Sequence, residues 1–204
     1  MPDRDTIVAL SSGRPPAAIA VLRVSGPRAR AVLEALARRV PPARRASLVG
    51  LRDPQDGAAL DDALVLWLPG PRTQTGEDMA ELHVHGGRAV VAAVLAAIGR
   101  IEGVRPAQAG EFIRRAFENG RADLSAVEGI ADLIAAETEA QRAQALRQAH
   151  GALASPAEAW RGQLLEAMAW VEAGIDFSTE ADVPEDLVGP ALRQAAAVRE
   201  EMAR

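Results

Sequence analysis

The feature that most constrains this chain is a single switch of period near residues 118–123. Before it, short runs rich in β-branched residues are interleaved with helical spacing. After it, every apolar run recurs at three- and four-residue steps. A chain that changes period once reads as an α+β protein, with a mixed strand-and-helix domain followed by an all-α segment. Charge changes at the same place. Residues 1–122 carry 17 Arg against 13 acidic residues, a balance of +4, whereas 123–204 carry 6 Arg against 15, a balance of −9. We place the domains at 1–120 and 121–204.

Composition then removes whole classes. Of 204 residues, 49% are apolar, but 44 of those are Ala and only six residues are aromatic, a helix-rich usage. With no Cys, disulfide scaffolds, thiolate zinc sites and thiol nucleophiles are excluded. With no Lys, the phosphate-binding G-x-x-x-x-G-K-[ST] loop cannot occur, and no G-x-G-x-x-G stands in its place. The longest apolar run, 89–98, is ten residues, against the ~20 needed to span a membrane. The opening Met1-Pro-Asp-Arg-Asp lacks a basic region followed by an apolar stretch, so no secretory signal is expected and the protein is expected in the cytoplasm. A net charge of −5 argues against a free-standing nucleic-acid binder.

In the first part the spacing predicts strands at 6–11, 18–24, 47–51, 63–68 and 79–84, with helices from 27 to about 39 and from 89 to 101. In the second, Leu124, Val127, Ile130 and Ile134 predict one helix running to about residue 148, capped by Asp123 or by a Ser125–Glu128 box. Trp160, Leu164, Met168, Val171 and Ile175 mark a second helix. After an acidic joint over 176–186, residues 187–202 mark a third, with Leu192, Ala195, Val198 and Met202 as its stripe. Each helix has one apolar stripe that needs a partner.

Polar chemistry concentrates in Thr75-Gly-Glu-Asp-Met-Ala-Glu-Leu-His-Val-His-Gly-Gly. On a strand, Glu81, His83 and His85 share one face. That face reads either as a ligand site or simply as a polar sheet face, and as a metal site it lacks further ligands. His85-Gly86-Gly87 before a helix could seat an anion. Arg23, inside the apolar run Ala-Val-Leu-Arg-Val-Ser-Gly, is either paired or anion-binding, or else lies in solvent on an edge strand. Arg114, Arg115 and Arg121 flank Phe112 and Phe117 and read most simply as solvated helix charges.

Taken in order, Asp5-Thr-Ile-Val-Ala, Leu22-Arg-Val-Ser-Gly, Trp67-Leu-Pro-Gly-Pro, Thr75-Gly-Glu-Asp with Glu81 and His85-Gly-Gly, Gly110-Glu-Phe, and Arg115-Ala-Phe-x-Asn-Gly resemble the MnmE (TrmE) family of tRNA modification GTPases. Asp123-Leu-Ser-x-x-Glu-x-Ile-Ala-Asp-Leu-Ile and Glu172-Ala-x-Ile-Asp-Phe continue the resemblance. It implies an N-terminal α/β tetrahydrofolate-binding and dimerisation domain, similar to the folate domain of the glycine-cleavage T protein, and then the first part of a helical domain. The G domain, with its GTP, Mg2+ and K+, would follow, so these residues alone are expected to lack GTPase activity.

The resemblance further implies a homodimer that works on tRNA with the FAD-dependent MnmG. Together they add an aminomethyl-type group to C5 of the wobble uridine, drawing on 5-formyltetrahydrofolate or 5,10-methylenetetrahydrofolate. By the same resemblance the folate contacts fall on Arg23, Glu81 and Arg121, with no catalytic residue and no metal ligand here. Arg121 stands where Lys is common, and Ala109 where Pro is usual. These two departures are what support an alternative, a non-enzymatic assembly module with a vestigial folate pocket.

Overall fold

Within residues 5–176, 186 and 188–203, which the computed structural model describes, six strands and seven helices form, and the chain divides into two units, Met1–Ala122 and Asp123–Arg204. The first unit contains β1 (Thr6–Leu10), β2 (Ile19–Ser25), α1 (Ala29–Ala37), β3 (Ser47–Arg52), β4 (Ala59–Leu68), β5 (Met79–His85), α2 (Arg88–Gly99), β6 (Val104–Pro106) and α3 (Glu111–Glu118). The second contains α4 (Leu124–Ala135), α5 (Glu139–Ala149), α6 (Ala154–Asp176) and α7 (Val188–Met202). Among the described residues this is a mixed sheet with seven helices, an α+β protein.

Alternation makes the sheet of the first unit two-faced. Its strand order is β3-β4-β5-β2-β1-β6, antiparallel throughout except for the parallel pairing of β1 with β6. Ala20, Leu22 and Val24 on β2 and Ala80, Leu82 and Val84 on β5 point to one face. There they meet Val32, Leu33 and Leu36 of α1 and Val94 and Ile98 of α2. Each fully buried Leu contributes ~1.5–3 kcal/mol of transfer free energy. The other face carries Val21, Arg23, Glu81, His83, Leu64 and Leu66, only partly covered. β2 lies between β1 and β5, so Arg23 sits on a central strand and not on an edge.

Two differences from the sequence expectation have local causes. β6 is a sixth strand, three residues long, whose parallel pairing with β1 (Thr6↔Val104) joins segments far apart in sequence. The helix expected over 124–148 is broken. Ala136 is extended at φ −63°, ψ 124°, and Thr138 starts a new helix with a capping box to Gln141. The break lets α4 fold back on α5. Gly129 makes that approach possible, because a Cβ there would lie 2.4 Å from the Ala149 nitrogen. Asp123 caps α4 by accepting from the Ala126 N–H at 2.9 Å.

α6 and α7 also pack as a pair, meeting through small residues: Ala167, Ala191 and Val198 are buried. Among the described residues no helix is long and apolar enough to cross a membrane. The opening Met1-Pro-Asp-Arg, most of the acidic joint, Phe177 of the last quoted motif, and Leu187 lie outside the described residues.

Candidate functional site

Cross-strand register brings the first two expected site residues together. Arg23 on β2 and Glu81 on β5 are direct partners in the antiparallel ladder, and their side chains rise on the same, open face. The Arg23 guanidinium donates to Glu81 Oε1 from Nε at 2.9 Å and lies 2.8 Å from it through Nη2. Both side chains are partly buried, so this charge-assisted pair is stronger than an exposed one. Among the described residues Glu81 Oε2 has the His83 ring nitrogen, at 3.5 Å, as its one polar partner. The row continues into Leu66 of β4 and Ala9 of β1, which sets apolar surface on either side of the pair.

The third expected residue, Arg121, has no hydrogen bond or ion pair with these two among the described residues. Its Nε donates to the Thr73 carbonyl at 3.3 Å, and its aliphatic stem covers Gly76. Gly76 has φ +80°, and a Cβ there would lie 3.2 Å from Arg121 Cγ. Only glycine accepts both that dihedral and that neighbour without strain. The loop over 73–78 reaches the pair from the other side as well, since Arg23 Nη1 donates to Gln74 Oε1 at 2.6 Å. One loop therefore ties all three expected residues together.

A buried ionic chain holds that loop. Arg115 on α3 is almost fully buried and is not a solvated helix charge. It lies 3.1 Å from Glu77 and 3.2 Å from Glu111. Glu111 also takes Arg105 at 2.6 Å and the Gln108 N–H at 2.8 Å. The Arg105 hydrogen bond outweighs burial and, with Gln108 and Arg115, holds the Glu111 carboxyl down at about 2. Ser25 donates to Glu77 at 2.6 Å and shares a 2.7 Å bond with the Thr75 hydroxyl. Ser25 has one proton, so Thr75 is the donor there. Asn119 closes the set on the Thr75 carbonyl at 2.6 Å.

The His-rich face separates into two pairs. His85 Nδ1 lies 2.7 Å from Asp61, whose carboxyl also accepts the His85 backbone N–H at 2.7 Å. Burial raises the Asp61 pKa, but the two His85 bonds outweigh it and leave the carboxyl below its usual range. Among the described residues no group of three or more His, Asp or Glu could hold a metal ion. Gln74, Ser25 and Arg105 are parts of the site that sequence reasoning missed. Gln74 and Ser25 meet Arg23 and Glu77 across 51 and 52 residues of chain, and no spacing rule reaches that far.

Comparison with known proteins meets this geometry from outside. The family model for the GTP-binding protein TrmE N-terminus matches residues 6–121, and that for the MnmE helical domain matches 124–204. Among the relatives is a tRNA modification GTPase MnmE of Azorhizobium caulinodans, 59% identical over 198 residues, which are 97% of this chain and 46% of that protein. A protein of the same name from Beijerinckia indica subsp. indica is 62% identical over 180 residues, 88% of this chain and 40% of its own length. Another, from Novosphingobium aromaticivorans, is 60% identical over 179 residues, 88% and 41%. The chain spans less than half the length of these relatives.

Proposed function

The chain belongs to the MnmE (TrmE) family of tRNA modification GTPases, and we propose that its first unit is a reduced-folate-binding, dimer-forming domain of such an enzyme. In this reading the intact protein works with FAD-dependent MnmG to add an aminomethyl-type group to C5 of the wobble uridine of tRNA. GTP hydrolysis with Mg2+ and K+ then belongs to the part of the longer relatives that these 204 residues do not cover, because a chain without Lys has no Walker loop.

The observation that carries the proposal is the Arg23–Glu81 pair on the open sheet face. A folate presents a pterin edge with N–H and amino donors, and a glutamate tail of carboxylates. Glu81 Oε2, which among the described residues meets just His83 at 3.5 Å, is an available acceptor for the pterin edge. Arg121 supplies a guanidinium for a carboxylate, and Leu66 and Val21 supply partly covered apolar walls. These residues fit the group. When bound, the folate supplies the one-carbon unit, as 5-formyltetrahydrofolate or 5,10-methylenetetrahydrofolate, and the chain's own residues bind and orient it. Exposed Ile19, Leu48 and Leu64 on the same face make an apolar patch of the kind that marks an interaction surface, which favours dimerisation there.

Titration calorimetry with 5-formyltetrahydrofolate, alongside light scattering for mass, tests this. Removing one charge-assisted hydrogen bond, worth ~1.5–3 kcal/mol, should make Glu81→Ala bind the folate about 10- to 100-fold more weakly. Equal affinity in Glu81→Ala and parent would remove Glu81 from the site. A dimer that gives no folate heat would favour the assembly-module alternative.

A further inference from the structure

We infer that Gln74 is a specificity-determining residue of the site, an amide locked by Arg23 so that it selects 4-oxo over 4-amino pterins. The inference rests on the folate reading above and adds to it a residue and a chemical preference.

Gln74 is exposed, yet the residues on either side of it, Thr73 and Thr75, are buried. Thr73 donates to the Glu77 carbonyl at 2.6 Å, and Thr75 is bonded to Ser25. The loop is thus pinned on both sides of the exposed Gln74 side chain. That side chain is pinned too. Arginine has five donors and no acceptor, so the Gln74 oxygen must face Arg23 Nη1, which it meets at 2.6 Å. Turning the amide over would set N–H against N–H and lose a charge-assisted bond. The Nε2 amino group therefore points away from Arg23 with both hydrogens, and among the described residues no hydrogen bond engages it.

The same guanidinium engages Glu81 Oε1 through Nε and Nη2, and among the described residues leaves Oε2 free but for His83. Arg23 thus fixes a free acceptor on one side of itself and a free donor on the other. A 4-oxopterin carries the matching edge, with amino and N3–H donors beside the O4 acceptor. A 4-aminopterin replaces O4 with an amino donor and N3–H with a bare nitrogen. Against Gln74 it opposes donor to donor, and an opposed polar pair is how a site rejects a near-isostere.

The test titrates the 204-residue chain and its Gln74→Ala and Gln74→Glu variants with 5-formyltetrahydrofolate, and with folic acid and aminopterin, which differ only at the 4-position in the oxo-to-amino sense. The parent should prefer folic acid about tenfold. Gln74→Ala should lose about tenfold for 5-formyltetrahydrofolate and bring the matched pair close to equality. Gln74→Glu, which has acceptors only, should favour aminopterin. Unchanged melting temperatures keep these effects apart from misfolding. If both variants keep the parent's preference and its 5-formyltetrahydrofolate affinity, Gln74 has no such role while the folate reading stands. If the parent binds none of the three, the folate reading fails and this assignment falls with it. Should only 5-formyltetrahydrofolate bind, its affinity for Gln74→Ala decides alone.

Discussion

In the first unit Leu22, Val24 and Leu82 are wholly buried, whereas in the second Leu164, Met168 and Leu192, at equally regular spacing, stand 40%, 57% and 65% exposed. Both units draw on the same alanine-rich alphabet. The difference is geometric. Six strands and two helices enclose one layer between them, so every inward residue of β2 and β5 is covered. A helix pair covers only a seam. α4 meets α5 at Gly129 and Ala145, and α6 and α7 bury Ala167, Ala191 and Val198. The wider stripes need more than one neighbour. Polar groups differ in the same way. The first unit buries an ionic chain through Arg115 and Glu111, whereas among the described residues the ion pairs of the second, Arg142–Glu139 and Arg161–Glu158, are exposed.

The largest test of this contrast is Arg115→Met. It leaves Glu77 and Glu111 without the cation between them, and breaking a buried pair from one side costs about 3–5 kcal/mol. Urea unfolding of the first unit, followed by hydrogen exchange at its core amides, should register that loss. A change under about 1 kcal/mol would make the network as weak as a surface one.

Acid should reveal the same network next. Glu111 titrates near 2 when folded, against an ordinary 4.5. Its contribution, on the order of 3 kcal/mol, is present above about pH 4.5 and is lost as pH falls toward 2. Glu111→Gln should flatten that slope in first-unit stability measured between pH 5 and 2. An unchanged slope would place the acid sensitivity elsewhere.

The smallest effects belong to the second unit. Asp123→Ala removes the α4 cap and should lower its helix stability by about 1 kcal/mol, read by circular dichroism on heating. Ile134→Ala, at a side chain 82% exposed, should stay within about 0.5 kcal/mol. If it cost the ~2–5 kcal/mol of a core truncation, the stripe would be covered in solution and the contrast between the units would vanish.

Much of the architecture was legible because it is local. The alternation of β2 and β5 and the stripes of α1, α2 and α6 are written in neighbouring residues. The break after Ala135 was legible too, since Thr138-Glu-Ala-Gln carries the capping-box spacing, but the continuous stripe concealed it. β6 was not legible, because three residues ending in Pro106 carry too little pattern. At the site, Arg23, Glu81 and Arg121 were named through family resemblance, and the charge of Arg115 was misjudged. An Arg on a short helix looks solvated until the loop that buries it is in place.

By itself, then, the sequence determined the two kinds of structure, the place where one yields to the other, and the exclusion of thiol chemistry and of a Walker loop, because period and composition need no third dimension. Only the tertiary structure decided that Arg23 sits on a central strand, that Glu81 is its register partner, and that Arg115 holds the loop presenting Gln74. Those relations join residues 38 to 58 positions apart. Strand order and loop closure create such contacts, and no local propensity encodes them.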